Sequence, residues 1–196
     1  EDRQLPYIIF GPPGTGTLLL AIDHARKIVC CIVFAHPVSI FCCPPPGKTT
    51  VVVETVLQLC QHKDNLRVLL VAPSNDAADI LTERLAQYFP PSELCRVLAY
   101  SSTLNTVPEC IHFFARERGS DAEQIGDLLS MKIVVGTVIF AARLSYFGVP
   151  RGHFDVLCVD EAGHATEPEI ISVASTLLDL SENSSRCGQL ILVGTE

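Results

Sequence analysis

The chain has 196 residues, of which 48% are hydrophobic and 18% are charged. This balance excludes a disordered tail and fits a single domain built around a sheet that is covered on both faces. With 14 Lys and Arg against 22 Asp and Glu, the net charge is -8, which excludes a polybasic protein that binds nucleic acid by bulk attraction to phosphate.

Short apolar runs, each followed by small or polar residues, recur along the chain. Between them lie helical patterns, of which the clearest is 75–89, with Ala77, Ala78, Leu81, Leu85 and Phe89 on one face. This alternation predicts an α/β fold with a parallel sheet, whose ligands bind at the carboxyl ends of the strands. The predicted strands are 7–10, 68–72, 133–135, 156–159 and 190–193.

The two halves of a phosphate-binding loop stand apart in the sequence. Such a loop needs G-x-x-x-x-G-K-[ST], in which backbone N–H groups bind phosphate, the lysine neutralises charge and the hydroxyl binds Mg²⁺. The first half follows the strand that ends at Phe10, but Thr17 stands where the lysine is needed, and the second half opens a predicted helix that runs to about His62. The predicted nucleotide-binding residues are Gly11, Pro12, Pro13, Gly14, Thr15, Gly16, Gly47, Lys48, Thr49 and Thr50.

An insertion at about 17–46 separates these halves. Deleting 31 residues, either 16–46 or 17–47, restores GPPGTGKTT between a strand and a helix. The segment ends in Phe-Cys-Cys-Pro-Pro-Pro, whose codons are rich in pyrimidine, so we hypothesise a translated intron. The alternative is a genuine loop, although loops of this length are uncommon in compact domains. Either way, we expect residues 17–46 to form an irregular or poorly packed excursion from the sheet.

The apolar run 28–43 within this insertion also raises the question of a membrane span. It is 16 residues long and contains His36 and Pro37. Spanning a bilayer takes about 20 apolar residues, so a membrane partner is not favoured. Nine cysteines without CxxC spacing, and an N-terminus without a secretory pattern, favour reduced thiols and a cytoplasmic protein.

A pair of carboxylates follows the predicted strand 156–159. In nucleotide hydrolases, an Asp at this place holds Mg²⁺ and the adjacent Glu polarises the attacking water. Asp160 and Glu161 fit these two roles. A solvated pair or a helix cap is the structural alternative for such residues.

Together these motifs resemble the superfamily 1 helicases of the Upf-like class, most closely the RNA helicases of the Moloney leukaemia virus 10, Armitage and plant silencing-defective group. LPYIIFGPPGTG with GKTT is similar to motif I, VAPSNDAAD to motif Ia, VVGTVIFAARL to motif Ib or its neighbourhood, and QLILVG to motif III. DEAGH followed by EPE, similar to motif II, is the most discriminating string.

The resemblance implies a RecA-like P-loop NTPase domain that uses ATP and Mg²⁺. It implies that Lys48 holds the β and γ phosphates, that Thr49 and Asp160 place Mg²⁺, and that Glu161 is the catalytic base. It also implies contacts with the backbone of single-stranded RNA from three further residues, for which helix capping or a turn is the structural alternative. These are Ser74, Asn75 and Thr137.

Two hypotheses about function follow. The first is that residues 1–196 are part of the first motor domain of an RNA helicase, with RNA-silencing or RNA-decay proteins as partners by family resemblance. The second is a catalytically inert fragment, because the insertion splits the phosphate loop. The resemblance also implies that the second motor domain lies outside this chain, so we expect at most one of the two motor domains here.

Overall fold

A computed structural model describes residues 7–10, 19–22, 28–31, 48–62, 65–99, 102–116, 122–180 and 188–194. It contains nine strands and five α-helices within these ranges. The strands are β1 Tyr7–Phe10, β2 Leu19–Ile22, β3 Ile28–Cys31, β4 Val68–Ala72, β5 Leu94–Val97, β6 Ala115–Arg116, β7 Ile133–Thr137, β8 Val156–Val159 and β9 Gln189–Gly194. The helices are α1 Lys48–His62, α2 Asn75–Leu85, α3 Ala122–Ser130, α4 Val138–Ala141 and α5 Glu167–Leu177.

Seven of the strands form one sheet in the order β1-β9-β8-β4-β7-β5-β6, and every neighbouring pair is parallel. All five predicted strands are present, with β7 and β9 slightly longer than predicted. The sequence reading missed β5 and β6, which extend the sheet beyond β7. The parallel α/β prediction is therefore confirmed.

Apolar side chains cover both faces of this sheet, as the composition predicts. Alternate residues of β4 point to opposite sides: Leu70 belongs to a core shared with α1 and α2, whereas Leu69 belongs to a core shared with α4 and α5. Both side chains are fully buried. This alternation is the physical reason that the central strands consist of continuous apolar residues.

Helix α2 is shorter than the predicted 75–89. It ends at Leu85, and residues up to Phe89 form turns in which the N–H groups of Tyr88 and Phe89 both donate to the Leu85 carbonyl. The next two residues are Pro90 and Pro91, which lack the N–H group that a helix requires and disfavour helical backbone before them.

Part of the insertion has regular structure, so the expectation of an irregular excursion is wrong there. Strands β2 and β3 form an antiparallel pair, with Leu19 opposite Cys31 and Ile22 opposite Ile28. Their apolar, partly β-branched sequences suit a ladder. Strand β3 also lies beside β1 and α1. The rest of the insertion, including most of the apolar run 28–43, lies outside the described residues. None of the helices in the described ranges is long and apolar enough to cross a membrane.

At the amino ends of β4 and β8, a polar cluster joins the two strands. The backbone N–H of Arg67 donates to Asp155 Oδ2 at 3.0 Å, and the Asp155 N–H donates to the Arg67 carbonyl at 2.9 Å. The Arg67 guanidinium lies 3.3 Å from His153 Nδ1. Burial, with the Arg67 charge as a second cause, lowers the pKa of His153 to about 4. The fold therefore holds this imidazole neutral.

We predict that this histidine makes the fold sensitive to acid. The unfolded chain takes up a proton near pH 6.5 and the folded chain only near pH 4, so stability falls as pH decreases through this window. His153→Gln, which cannot titrate, should show a smaller fall in urea midpoint between pH 6.5 and 4. His164→Gln, at an exposed histidine, is the control and should behave like the wild type. Parallel curves for wild type and His153→Gln would contradict the prediction.

Candidate functional site

The sheet brings the predicted site residues to one edge. Because its strands are parallel, their carboxyl ends share that edge, and the order of strands sets the order of side chains. Strand β1, which precedes the phosphate loop, is separated by β9 from β8, which precedes Asp160 and Glu161. Strands β4 and β7 follow on the other side of β8. The strands β1 and β8 are therefore about 10 Å apart, two strand spacings.

The nucleotide-binding residues predicted from the two half-motifs fall at the expected places in the fold, as far as these are described. Strand β1 ends at Phe10, directly before Gly11, and α1 begins at Lys48. Thr49 is half-buried in the first turn of α1, and the exposed Thr50 accepts a hydrogen bond of 2.8 Å from Arg84. Residues 11–16 and Gly47, which carry the glycine-rich part of the prediction, lie outside the described residues.

Asp160 is held rigidly at the end of β8. Its side chain is buried, and its N–H donates to the Val71 carbonyl of β4 at 2.8 Å, which extends the ladder one residue beyond the strand. Its Oδ1 accepts the N–H of Glu161 at 3.0 Å. A carboxylate and a threonine hydroxyl are hard oxygen ligands of the kind that Mg²⁺ prefers, so the donor chemistry of Asp160 and Thr49 fits this ion.

Glu161 has an unusual backbone. Its φ of 49° and ψ of 46° lie in the left-handed region, and it is the only residue other than glycine with positive φ among those described. Its side chain is 42% exposed and lies 4.0 Å from His164 Nε2. Left-handed backbone costs a side-chain-bearing residue about 1–2 kcal/mol. Such strain concentrates at functional positions.

Ser74 and Thr137, two of the three residues predicted to contact RNA, are helix caps. The Ser74 hydroxyl accepts the N–H of Ala77 at 3.1 Å at the start of α2, and the Thr137 hydroxyl accepts the N–H of Phe140 at 3.4 Å at the start of α4. The structural alternative of capping is thus realised for Ser74, and Thr137 caps a helix rather than forming a turn. Ser74 remains exposed, whereas Thr137 is buried.

Gly136 makes the abrupt change from β7 to α4 possible. A Cβ atom on this residue would lie 2.9 Å from the Phe140 ring. Without a side chain at 136, Phe140 folds back over the end of the strand, and Thr137 can cap the helix in the very next position.

The third predicted RNA contact, Asn75, takes part in a buried network that sequence reasoning missed. Its Oδ1 accepts from the Arg96 guanidinium at 3.2 Å, and its Nδ2 donates to Ser102 Oγ at 3.2 Å. Arg96 Nε also donates to Asp79 Oδ1 at 2.7 Å, and Arg96 is fully buried. A charged residue inside the apolar run LCRVL was the available signal, because buried charges need partners.

The described residues also enclose a cavity of about 390 Å³. It lies between β5, β6, α3 and the segment that begins with α4, and most of its lining is apolar. Cys95 contributes to its wall, and burial raises the pKa of this thiol to about 11, so it is a poor nucleophile. The cavity contains none of the residues predicted for nucleotide or RNA.

The backbone of Glu161 generates a prediction about stability. Glu161→Gly and Glu161→Ala both remove the carboxylate, but only glycine adopts the left-handed conformation without strain. We expect the Gly variant to be more stable than the Ala variant by about 1 kcal/mol in denaturant unfolding. The same pair at Glu83, an exposed position inside α2, should show the opposite order. A Glu161→Ala variant at least as stable as Glu161→Gly would contradict the assigned backbone.

Comparison with known proteins agrees with these features. No family model matches the chain. It is 34% identical over 197 residues to mov-10-B.1 of Danio rerio, which is named as a helicase, and 31% identical over 196 residues to RNA helicase Mov10l1 of Homo sapiens. These alignments cover 98% and 99% of this chain but only 16% and 13% of the relatives, so the chain spans about a sixth or less of their length.

The fold has a counterpart among solved structures. The helicase domain of Hef from Pyrococcus furiosus matches with a TM-score of 0.54 and 13% identity, covering 98% of this chain and 30% of that one. This likeness confirms the RecA-like α/β fold expected from the motifs. The chain matches, as a fragment, the group of helicases that contains mov-10-B.1 and Mov10l1, which is the group that its motifs indicate.

Proposed function

We propose that this chain is a segment of an ATP-dependent RNA helicase, and that it carries the nucleotide-binding half of the first motor domain together with part of the RNA surface. The observation that carries the proposal is the order of polar groups along the carboxyl edge of the sheet. The strand β1, which precedes the predicted phosphate loop, lies to one side of Asp160 and Glu161. On the other side lie β4, which precedes Ser74, and β7, which ends at Thr137.

On the nucleotide side, Lys48 would neutralise the β and γ phosphates, and the backbone of residues 11–16 would surround them. Thr49 and Asp160 would hold Mg²⁺, which supplies charge neutralisation at the phosphates. Glu161 would orient and deprotonate the attacking water. Its strained backbone and partial exposure support this role, because they present the carboxylate to solvent beside the buried Asp160.

On the RNA side, contacts would be confined to the backbone of the nucleic acid. The net charge of -8 offers no general attraction for phosphate, so binding would depend on local hydroxyl and N–H groups. Ser74 would supply such groups at the exposed start of α2. RNA-silencing or RNA-decay proteins as partners, and a cytoplasmic location, are part of the same proposal and rest on family resemblance.

The inert-fragment alternative is favoured by one specific observation. Strand β3 of the insertion lies beside both β1 and α1, the two elements that a phosphate loop connects directly. Closing a loop of about 30 residues costs a few kcal/mol of entropy, and pairing of β2 with β3 offsets only part of it. We therefore propose that the helicase function belongs to a form without the insertion, and that the insertion disables nucleotide binding.

We expect a full-length form lacking residues 17–47 to hydrolyse ATP faster when single-stranded RNA is present. In that form, Glu161→Gln should bind ATP but hydrolyse it at least about a hundredfold more slowly, because a catalytic base contributes about that much or more. Glu167→Gln, an exposed acid in the first turn of α5, is the matched control and should retain activity. Absence of RNA-stimulated hydrolysis in the unmutated form would overturn the proposed function.

Lys48→Ala in the same form should weaken ATP binding itself. The lysine charge neutralises phosphate in the ground state, whereas Glu161 acts on the water. Binding of a fluorescent ATP analogue should therefore separate the two variants, with a loss in Lys48→Ala and retention in Glu161→Gln. Lys132→Ala, at a lysine whose side chain pairs with Glu93, serves as the control for loss of one positive charge. Equal ATP affinity in Lys48→Ala and Lys132→Ala would remove Lys48 from this role.

A further inference from the structure

We propose that Arg96 is a positioning residue for RNA binding, and that it acts through Asn75 rather than by touching RNA. This inference deepens the proposed function and rests on RNA contact at the start of α2. It also changes the role expected for Asn75, which becomes the link between a buried ion pair and the exposed Ser74.

Several hydrogen bonds from Arg96 converge on the beginning of α2. The terminal nitrogen of the Arg96 guanidinium reaches both acceptors of Asn75, with 3.3 Å to the backbone carbonyl and 3.2 Å to Oδ1. One turn later, Asp79 accepts from Nε at 2.7 Å. A planar guanidinium that bonds two places on one helix fixes both the position and the rotation of that helix.

Arg96 is itself held in place by the sheet. It lies in β5, its side chain is fully buried, and it also donates to the backbone carbonyl of Val97. The strand β5 pairs with β7, whose last residue is Thr137. The start of α2 is therefore fixed relative to the same sheet that carries Thr137, the other predicted RNA contact.

The side chain of Asn75 is already bonded within the protein, which limits the groups that can contact RNA. The Asn75 amide oxygen is engaged by Arg96, and its nitrogen donates to Ser102. The groups at this edge that face solvent belong to the exposed Ser74 and the first turn of α2. Asn75 thus orients the chain at Ser74, and Arg96 holds Asn75 in place.

The test is a double-mutant cycle on RNA affinity, measured with the 196-residue chain and a fluorescent oligouridine. Arg96→Lys keeps the charge opposite Asp79 but cannot span Asp79 and Asn75 together, and Asn75→Ala removes the amide. We expect each single variant to weaken RNA binding about tenfold, and the double variant to lose little more than either single one, because both break the same link. Ser102→Ala, which leaves Arg96 untouched, should produce a smaller loss in the same direction.

Two further readouts separate positioning from direct contact and from a general loss of folding. The dependence of RNA affinity on salt should keep the same slope in Arg96→Gln, which removes the positive charge, because a positioning arginine neutralises no phosphate. Thermal unfolding identifies any variant that fails to fold, and in that case Ser102→Ala and Asn75→Ala decide the question.

The outcomes distinguish this inference from the function on which it rests. If the wild-type chain binds no oligouridine, both the inference and the proposed RNA contact are overturned. If the wild type binds but folded Arg96→Lys binds equally well, or if the losses in the cycle add fully, the positioning role alone is overturned. If Arg96→Lys does not fold, unchanged RNA affinity in both Asn75→Ala and Ser102→Ala likewise overturns the positioning role alone.

Discussion

All seven strands of the main sheet run parallel, and the candidate site depends on this constraint. It gathers at one edge residues that are as far apart in sequence as Ser74 and Asp160. The strand β4 lies at the centre, with β8 on one side and β7 on the other. The bond from the Asp160 N–H to the Val71 carbonyl shows how directly this works, since the carboxylate proposed to bind metal is fixed by the strand that leads into the segment proposed to contact RNA.

Under the proposed function, this arrangement would give a physical route between nucleotide and RNA. Asp160 and Glu161 lie between β1 on one side and, on the other, β4, which precedes Ser74, and β7, which ends at Thr137, within about two strand spacings of each. A shift of β8 relative to β4 would alter both sides together. The Arg96 network ties the start of α2 to β5. Because removing one partner of a buried ion pair costs about 3–5 kcal/mol, movement of α2 independently of the sheet is disfavoured.

The sequence predicts the parts of this fold that depend on continuous apolar runs. Strands β1, β4 and β8 have the predicted bounds. In β4 and β8 every residue is buried on a covered side of the sheet. Strand β5 was missed because Arg96 interrupts its apolar run, although a charged residue inside such a run is itself the signal of a buried ion pair. The left-handed backbone of Glu161 has no signal in residue type. Capping by Ser74 was foreseeable, since serine before a helix favours it.

At the insertion, the sequence motifs and the fold favour different conclusions about nucleotide binding. Both halves of motif I are present in the sequence. Strand β1 lies in the sheet and α1 lies in the layer that covers it, but the hairpin strand β3 lies beside both. The core around α1, which includes the buried Val52 and Val56, does not depend on a direct connection between β1 and α1. A domain can therefore keep its fold while losing the contiguous backbone that binds phosphate.

The most direct test of this account is calorimetric titration of Mg·ATP into two purified proteins, the 196-residue chain and the same chain without residues 17–47. The account predicts micromolar affinity only for the shortened chain, with both proteins showing the same cooperative unfolding of the α/β sheet. Micromolar affinity in the 196-residue chain would contradict it, and would show that the insertion is a genuine loop that leaves the phosphate site intact.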